Sequence, residues 1–250
     1  MLTSSRKRHI LDLLERNKQV VAKTLSDQLG TSEDTIRRDL RELAAEGLLR
    51  RVHGGALPVA PAEANFVRRQ AIGHDDKVAI GKLAASLIKP NQVVMIDGGT
   101  TAVQLARSIA PNLAITVVTH SPNIAVELSN HAKAEVILIG GRLFKHSIVS
   151  VGAHAADAIR RIHADIYFMG VTGVHHEIGL TTGDFEEAAI KNAMSKSAVE
   201  TFVLASPEKI GMASPYLVMP CVDASALITT SGVSEQALAP FVKLGLQIFR

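Results

Sequence analysis

One cysteine, Cys221, in 250 residues excludes an intramolecular disulfide and any thiolate metal cluster, and leaves the residue to serve as a small core side chain. Long apolar runs are also missing. Although 47% of the residues are hydrophobic, charge, Gly or Pro interrupts every stretch short of the ~20 residues that a membrane helix requires, so no membrane partner is expected. Arg6, Lys7 and Arg8 open the chain, but Asp12 breaks the apolar run behind them and no small-residue cleavage site follows. A signal peptide is therefore not expected, and the cytoplasm is the expected compartment. His175, His176 and Glu177 come nearest to a metal motif, yet neighbours in an extended segment point apart and no further ligand completes a set; neither metal nor cofactor is expected. The Gly-x-Gly-x-x-Gly of dinucleotide sites and the Gly-Lys-Ser/Thr of a P-loop are absent, which counts against nucleotide binding.

What the chain does have is an uneven distribution of charge. The formal net charge is +3, and residues 1–57 hold 11 Lys and Arg against 8 Asp and Glu, leaving 16 of each sign for the rest. The excess positive charge thus lies at one end, where it can meet phosphate. The same segment reads as three helices and a hairpin. Ile10, Leu13 and Leu14 recur at helical spacing from about Ser4 to Glu15, and Val21, Leu25 and Leu29 from about Val21 to Leu29, where Gly30 ends the run. Thr31 or Ser32 can cap a third helix with Glu33 and Asp34 in its first turn. That helix buries Ile36, Leu40 and Leu43 and exposes Asp34, Arg38, Arg41 and Ala45, with Arg37 on the flank. Gly47 to Ala56 then reads as strand, Gly turn and return strand, a basic wing carrying Arg51 and His53. A charged face alone is a common solvated surface. Together with the short turn, the arginine row, the wing and the charge division, it points to a recognition helix that enters a major groove, with a double-stranded DNA operator as partner.

The run Ser32-Glu33-Asp34-Thr35-Ile36-Arg37-Arg38-Asp39-Leu40, then Leu43, Gly47 and Arg51-Val52-His53-Gly54-Gly55-Ala56, closely resembles the DNA-binding signature of the DeoR family of bacterial transcription regulators. The resemblance covers essentially the whole segment. It implies a winged helix-turn-helix with the helix-turn-helix proper at Val21 to Leu40, in a protein that represses a sugar or sugar-derivative operon until an intermediate binds. It also implies DNA contacts from Ser32, Thr35, Arg37 and Arg38; Arg41, Arg51 and His53 extend that set along the exposed helix face and the wing.

Leu57 to Asn65, with three Ala, two Pro and no periodicity, suits a connector. The expected organisation is a DNA-binding domain at 1–57, a linker at 58–74 and an effector-sensing domain at 75–250. Beyond an amphipathic helix from Asp75 to Ile88, short β-branched runs begin at Val93, Ile115, Val136, Ile166, Phe202 and Leu227 and alternate with helical stretches. Strands apolar on both faces, alternating with helices, predict an α/β fold with a mainly parallel sheet covered on both sides. Ligands bind such sheets beyond the carboxyl ends of the strands.

At one strand end stands Asp97-Gly98-Gly99-Thr100-Thr101. Gly98 and Gly99 let a ligand approach the backbone, while the following helix N-terminus and the two Thr hydroxyls offer donors to an anion. A simple strand-to-helix turn would use the same glycines. Comparable strand ends nearby are Thr119-His120-Ser121, Gly140-Gly141-Arg142 and Gly170-Val171-Thr172-Gly173. These runs resemble the family's sensor domain, which is related to ribose-5-phosphate isomerase. In that resemblance Asp97 to Thr101 is the phosphate and sugar loop, Asp165 and Gly170 belong to a later strand, Gly179 to Thr182 with Glu187, Ala188 and Lys191 lead into a helix, and Lys209-Ile210-Gly211 ends another motif. It implies a phosphorylated sugar effector held by Asp97, Gly98, Gly99, Thr100, Thr101, Thr119, His120, Ser121, Gly140, Gly141, Gly170, Glu187, Lys191 and Lys209. Two positions depart from the family pattern: Ser206 stands where an acidic residue is usual, and His120 where Asn is common. An i,i+4 ion pair on a solvated helix face accounts for Glu187 and Lys191 as well as ligand contact does. The alternative to a sensor is a sugar-phosphate isomerase with an appended DNA-binding domain, for which no complete acid and base set is identifiable. A homodimer or homotetramer is expected, because paired heads read repeated half-sites.

Overall fold

A computed structural model describes residues 3–17, 19–46, 48–58 and 66–250. Gly47, where the wing was expected to begin, and 59–65 of the expected linker lie outside the described residues.

The N-terminal part consists of α1 (Thr3–Asn17), β1 (Val20–Val21), α2 (Ala22–Leu29), α3 (Glu33–Ala45), β2 (Arg50–Val52) and β3 (Gly55–Leu57). Gly30 takes the left-handed conformation that ends α2, and Ser32 caps α3 by accepting the Thr35 N–H, as the sequence anticipates. The apolar stripes converge on one core of Ile10, Leu14, Leu25, Ile36, Leu40 and Leu43, closed by Leu49 and Ala56 of the wing. Burial of each large member stabilises the unit by about 1.5–3 kcal/mol. The two-residue β1 was not anticipated; it joins the wing as an edge strand, giving the order β1-β3-β2. Asp39, on the buried face of α3, is fully buried and receives the Arg6 guanidinium of α1 at 2.5 and 3.2 Å. A charge inside this small core is thereby paired in two-pronged geometry.

The rest begins with α4 (Phe66–Ala71), α5 (His74–Ser86), β4 (Val93–Ile96), α6 (Thr100–Ser108), β5 (Ile115–Thr119), α7 (Pro122–Leu128) and β6 (Ala134–Leu138). There follow the hairpin β7 (Arg142–Phe144) and β8 (Val149–Val151), then α8 (Ala153–Ile159), β9 (Ala164–Gly170), β10 (Gly173–His175), β11 (Gly179–Thr182), α9 (Phe185–Lys196) and β12 (Ala198–Leu204). The chain ends with β13 (Tyr216–Met219), β14 (Ala226–Ile228), α10 (Glu235–Lys243) and β15 (Gln247–Phe249). Seven strands form a parallel sheet in the order β15-β14-β12-β9-β4-β5-β6. Alternation along each strand sends Met95, Tyr167, Met169 and Val203 into one core with α8, α9 and α10, and Val94, Ile96, Phe168 and Leu204 into another with α5, α6 and α7. Part of the expected linker belongs to this second core, since α4 delivers Phe66 to it. The small antiparallel sheet β10-β11-β13 was not anticipated: its strands have three or four residues, and β10 and β11 are buried throughout, so they show no period-two alternation.

Chain direction fixes where a ligand fits. From β4 the sheet grows through β5 to β6; the chain then returns to the other side of β4 and grows through β9, β12, β14 and β15. The carboxyl ends of β4 and β9 therefore flank a switch point, where the following connections diverge and leave a crevice.

Candidate effector site and DNA-binding face

Asp97 follows β4 at this crevice and is fully buried. Its Oδ1 accepts from the Gly98 N–H at 2.7 Å and from His120 Nε2 at 2.8 Å. Its Oδ2 accepts from the Tyr167 hydroxyl at 2.9 Å, the Gly170 N–H at 2.8 Å and Lys191 Nζ at 2.6 Å. Burial by itself pushes the Asp97 carboxyl up, but the Lys191 ammonium and then His120 outweigh it and hold the group well below the usual carboxylate range. Lys191 responds in the matching sense: burial lowers it, and the Asp97 and Glu187 carboxylates raise it further, so it stays an ammonium. The pair at Glu187 and Lys191 is thus not on a solvated face. Both side chains are buried, Glu187 Oε1 lies 3.5 Å from Lys191 Nζ, and Glu187 Oε2 accepts from the Thr182 hydroxyl at 2.7 Å.

The turn above Asp97 is shaped for close approach. A side chain at Gly98 would run into Val149, and Gly99 caps α6 at φ +120°, a conformation that favours glycine. The first-turn N–H groups of α6 have no intrahelical acceptors, which makes this end a donor for anions. Thr101, 3% exposed, also lines this end of the helix, and its buried hydroxyl has no hydrogen-bond partner among the described residues.

An open cleft lies over this turn. Among the expected effector residues, Gly98, Gly99, Thr100, Thr101, Gly170, Glu187, Lys191 and Lys209 line it, with Asp97 beneath. Thr119, His120, Ser121, Gly140 and Gly141 do not. Thr119 Oγ1 accepts from the Ser121 N–H, Ser121 donates to the Ile148 carbonyl, and His120 spans Asp97 and the Ser150 carbonyl, so all three brace the Asp97–Gly98 turn from behind. Gly140 and Gly141 are exposed at the turn into β7, because β6 leads outward to the β7–β8 hairpin.

The cleft also recruits residues that sequence reasoning missed. Arg69 of α4 lines it, with Nη2 3.5 Å from the Ser147 hydroxyl and Nε without a hydrogen-bond partner among the described residues. Lys77 of α5 lines it too, and donates to the carbonyls of Arg69 and Ile72, fastening the end of α4 to α5. A signal for Lys77 existed: it stands three residues before Ile80 and seven before Ala84, in the apolar stripe of its helix. Arg69 offered none, falling in a stretch read as linker. Glu208 and Lys209 arrive on a short 3-10 turn, Pro207–Lys209, where the Ser206 hydroxyl donates to Glu208 at 2.6 Å. Burial lowers the Lys209 ammonium to about 7; Glu208 opposes the shift, while Lys77, Arg69 and Lys191 add to it. Four basic side chains, Arg69, Lys77, Lys191 and Lys209, therefore line the cleft against Glu187 and Glu208 on its wall and Asp97 below.

On α3 and the wing, Ser32, Arg37, Arg38, Arg41, Arg51 and His53 are exposed and Thr35 is half-buried. Ser32 and Thr35 share a hydrogen bond between their hydroxyls, and Arg37 pairs with Glu33 at 2.7 Å. Arg38 and Arg41 have no ion-pair partner among the described residues.

No helix among the described residues is long and apolar enough to cross a membrane. Residues 6–61 match the model of the DeoR-like helix-turn-helix domain, and residues 73–231 that of the DeoR C-terminal sensor domain. The chain is 38% identical over 216 residues to the HTH-type transcriptional regulator GlpR of Haloferax volcanii, covering 86% of this chain and 84% of that protein. To the lactose phosphotransferase system repressor of Lactococcus lactis it is 30% identical, covering 93% and 92%. A ribose 5-phosphate isomerase structure from Methanocaldococcus jannaschii aligns with a TM-score of 0.41 at 18% identity over 54% of each chain. The chain belongs to the DeoR family of DNA-binding transcriptional regulators.

Proposed function

We propose that this regulator is a cytoplasmic repressor of a sugar or sugar-derivative operon and that a phosphorylated sugar binds its cleft. The observation that carries the effector class is that the α6 N-terminus, Thr101 with its unpartnered hydroxyl and the basic residues Arg69, Lys191 and Lys209 all line one crevice. Together they suit a phosphate, while Glu187 and the Thr hydroxyls suit sugar hydroxyls. Asp97, Gly98, Gly99, Thr100, Gly170 and Lys77 complete the effector site in this reading. Repression is the role named for the Lactococcus relative and the one that the sequence resemblance implies.

The head spans residues 1–57, and the sensor takes in α4 as well as 75–250. Arg38 and Arg41 of α3 contact DNA, with Arg51 and His53 from the wing; Ser32, Thr35 and Arg37 combine capping or pairing roles with backbone contacts. The active form is a dimer or tetramer, in which paired heads read repeated half-sites. Isomerase activity is disfavoured by the carboxylates themselves. Asp97 is committed to five donors and Glu187 to Thr182 and Lys191, so neither is free to take a proton from a sugar carbon.

The test is binding of the full chain to the DNA upstream of its own gene, titrated with sugar phosphates and their unphosphorylated parents. Release by a phosphorylated compound without turnover is expected. Binding that no phosphate alters overturns the effector reading, and turnover of a pentose phosphate overturns the non-enzymatic one.

A further inference from the structure

A second cavity opens beside the effector cleft. Ser147, Thr172 and Glu187 line both, and beyond them the second is walled by Phe144, His146, Pro215 and Arg50. Arg50 is the residue out of place in this group, because it belongs to the DNA-binding head, as the first residue of β2. Successive residues of a strand point to opposite faces. Arg50, opposite Leu57 in the wing, is half-buried toward the sensor, while Arg51, opposite Ala56, is exposed. Two adjacent arginines on one three-residue strand thus face different surroundings, one the sensor cavity and the other solvent. Phe144 and His146, which line the cavity with Arg50, stack their rings with centroids 5.7 Å apart.

We propose that Arg50 completes the effector site: a sugar phosphate anchored at α6 extends past Ser147 and Glu187, and the head's own guanidinium donates to acceptor oxygens at its far end. Arginine only donates, in a planar fork, so that end presents hydroxyl, carboxylate or second phosphate oxygens. The inference rests on reading the first cleft as a sugar-phosphate site. Its consequence is a physical origin for regulation. A ligand shifts an equilibrium only by binding two arrangements with different affinity. A contact given by the wing exists only while the wing lies against the sensor, so occupancy favours that arrangement and, through β2, fixes the position of Arg51.

Two experiments on the full chain test this. In the first, Arg50→Cys and Pro215→Cys are combined and treated with a short bis-maleimide; Cys221 is buried and its thiol is pushed up to about 11, so it does not compete. An intramolecular cross-link, absent from either single variant, is expected. Its absence overturns the proposal and leaves the sugar-phosphate reading standing. In the second, Arg50→Ala and Arg50→Lys are titrated calorimetrically with pentose and hexose phosphates, and operator affinity is measured with and without each compound. Arg50→Ala is expected to bind the best wild-type compound roughly tenfold more weakly and to lose its influence on operator affinity, with partial recovery in Arg50→Lys. Unchanged affinity and unchanged influence in Arg50→Ala overturn the proposal. Cross-linking in the paired variant, with no compound bound by the wild-type protein, removes the sugar-phosphate reading, and the ligand contact falls with it.

Discussion

Asp97 sits at a point where structure and recognition compete for one side chain. With five donors turned on it, the carboxylate holds the β4 end, the Gly170 turn and Lys191 together, so removing it does more than empty a ligand site. Asp97→Ala leaves the Lys191 ammonium, 3% exposed, buried without its nearest counter-charge. A loss of about 3–5 kcal/mol is expected for breaking a buried pair on one side. Urea unfolding of the full chain checks this, and a loss under about 1 kcal/mol, the range of exposed pairs, would mean that the pair is effectively solvated. Lys209 makes the opposite case. Its folded value, about 7, lies below that of an unfolded lysine, so the cost of burying its charge is felt in full below about pH 7 and is relieved as the pH rises from there toward the ordinary lysine range. A phosphate beside it restores the charge. Sugar-phosphate binding at pH 7.5 is therefore expected to take up protons, and calorimetry in buffers of different ionisation enthalpy measures this; no uptake would place the phosphate away from Lys209. The Asp-Gly-Gly-Thr-Thr run was legible because its chemistry is local. Arg69 was not, since only tertiary packing carries α4 to the cleft, and for Lys77 the apolar stripe of α5 marked burial but not the cleft that it faces.

Elements were legible where they are long enough to show a period. α3 announces itself by Ser32, by the acidic first turn and by Ile36, Leu40 and Leu43, and its fixed geometry then exposes Arg38 and Arg41. Period alone did not reveal that α9 is buried on the face that carries Glu187 and Lys191, because a charged pair at i,i+4 looks the same on a wet or a dry face. Nor did it reveal β1, β10 or β11, which have two to four residues each. Asp39 is the residue of α3 whose substitution should be felt by the whole head. Asp39→Ala strands the Arg6 guanidinium in the core and is expected to destabilise the head by about 3–5 kcal/mol, lowering its melting temperature even without DNA. Arg38→Ala should leave melting unchanged and weaken operator binding by about 1–3 kcal/mol if the side chain forks onto a base edge. Gel-shift affinities alongside thermal melts separate the two roles. Equal operator affinity in Arg38→Ala would remove that side chain from the DNA-reading set.

At the scale of the whole chain, the apolar interior is divided. The head has its own core around Ile36 and Leu40, and the sensor has one on each face of its seven-stranded sheet, both built on the same strands. Because the two sensor cores share those strands, they should melt together; because the head core is separate from both, it should melt as its own unit. Scanning calorimetry is therefore expected to resolve two transitions. A ligand that binds only the folded form stabilises it by about 2.7 kcal/mol at a hundredfold excess over Kd, so operator DNA should raise the head transition and a bound sugar phosphate the sensor transition. The informative case is the crossed one. If Arg50 reaches the ligand from β2, the sugar phosphate stabilises the docked head as well, and the head transition must rise with the sensor transition in wild type but not in Arg50→Ala. Two transitions that each respond to one ligand alone would mean that the head and the sensor are joined only by the chain between them, and that regulation must then come from how whole subunits are arranged.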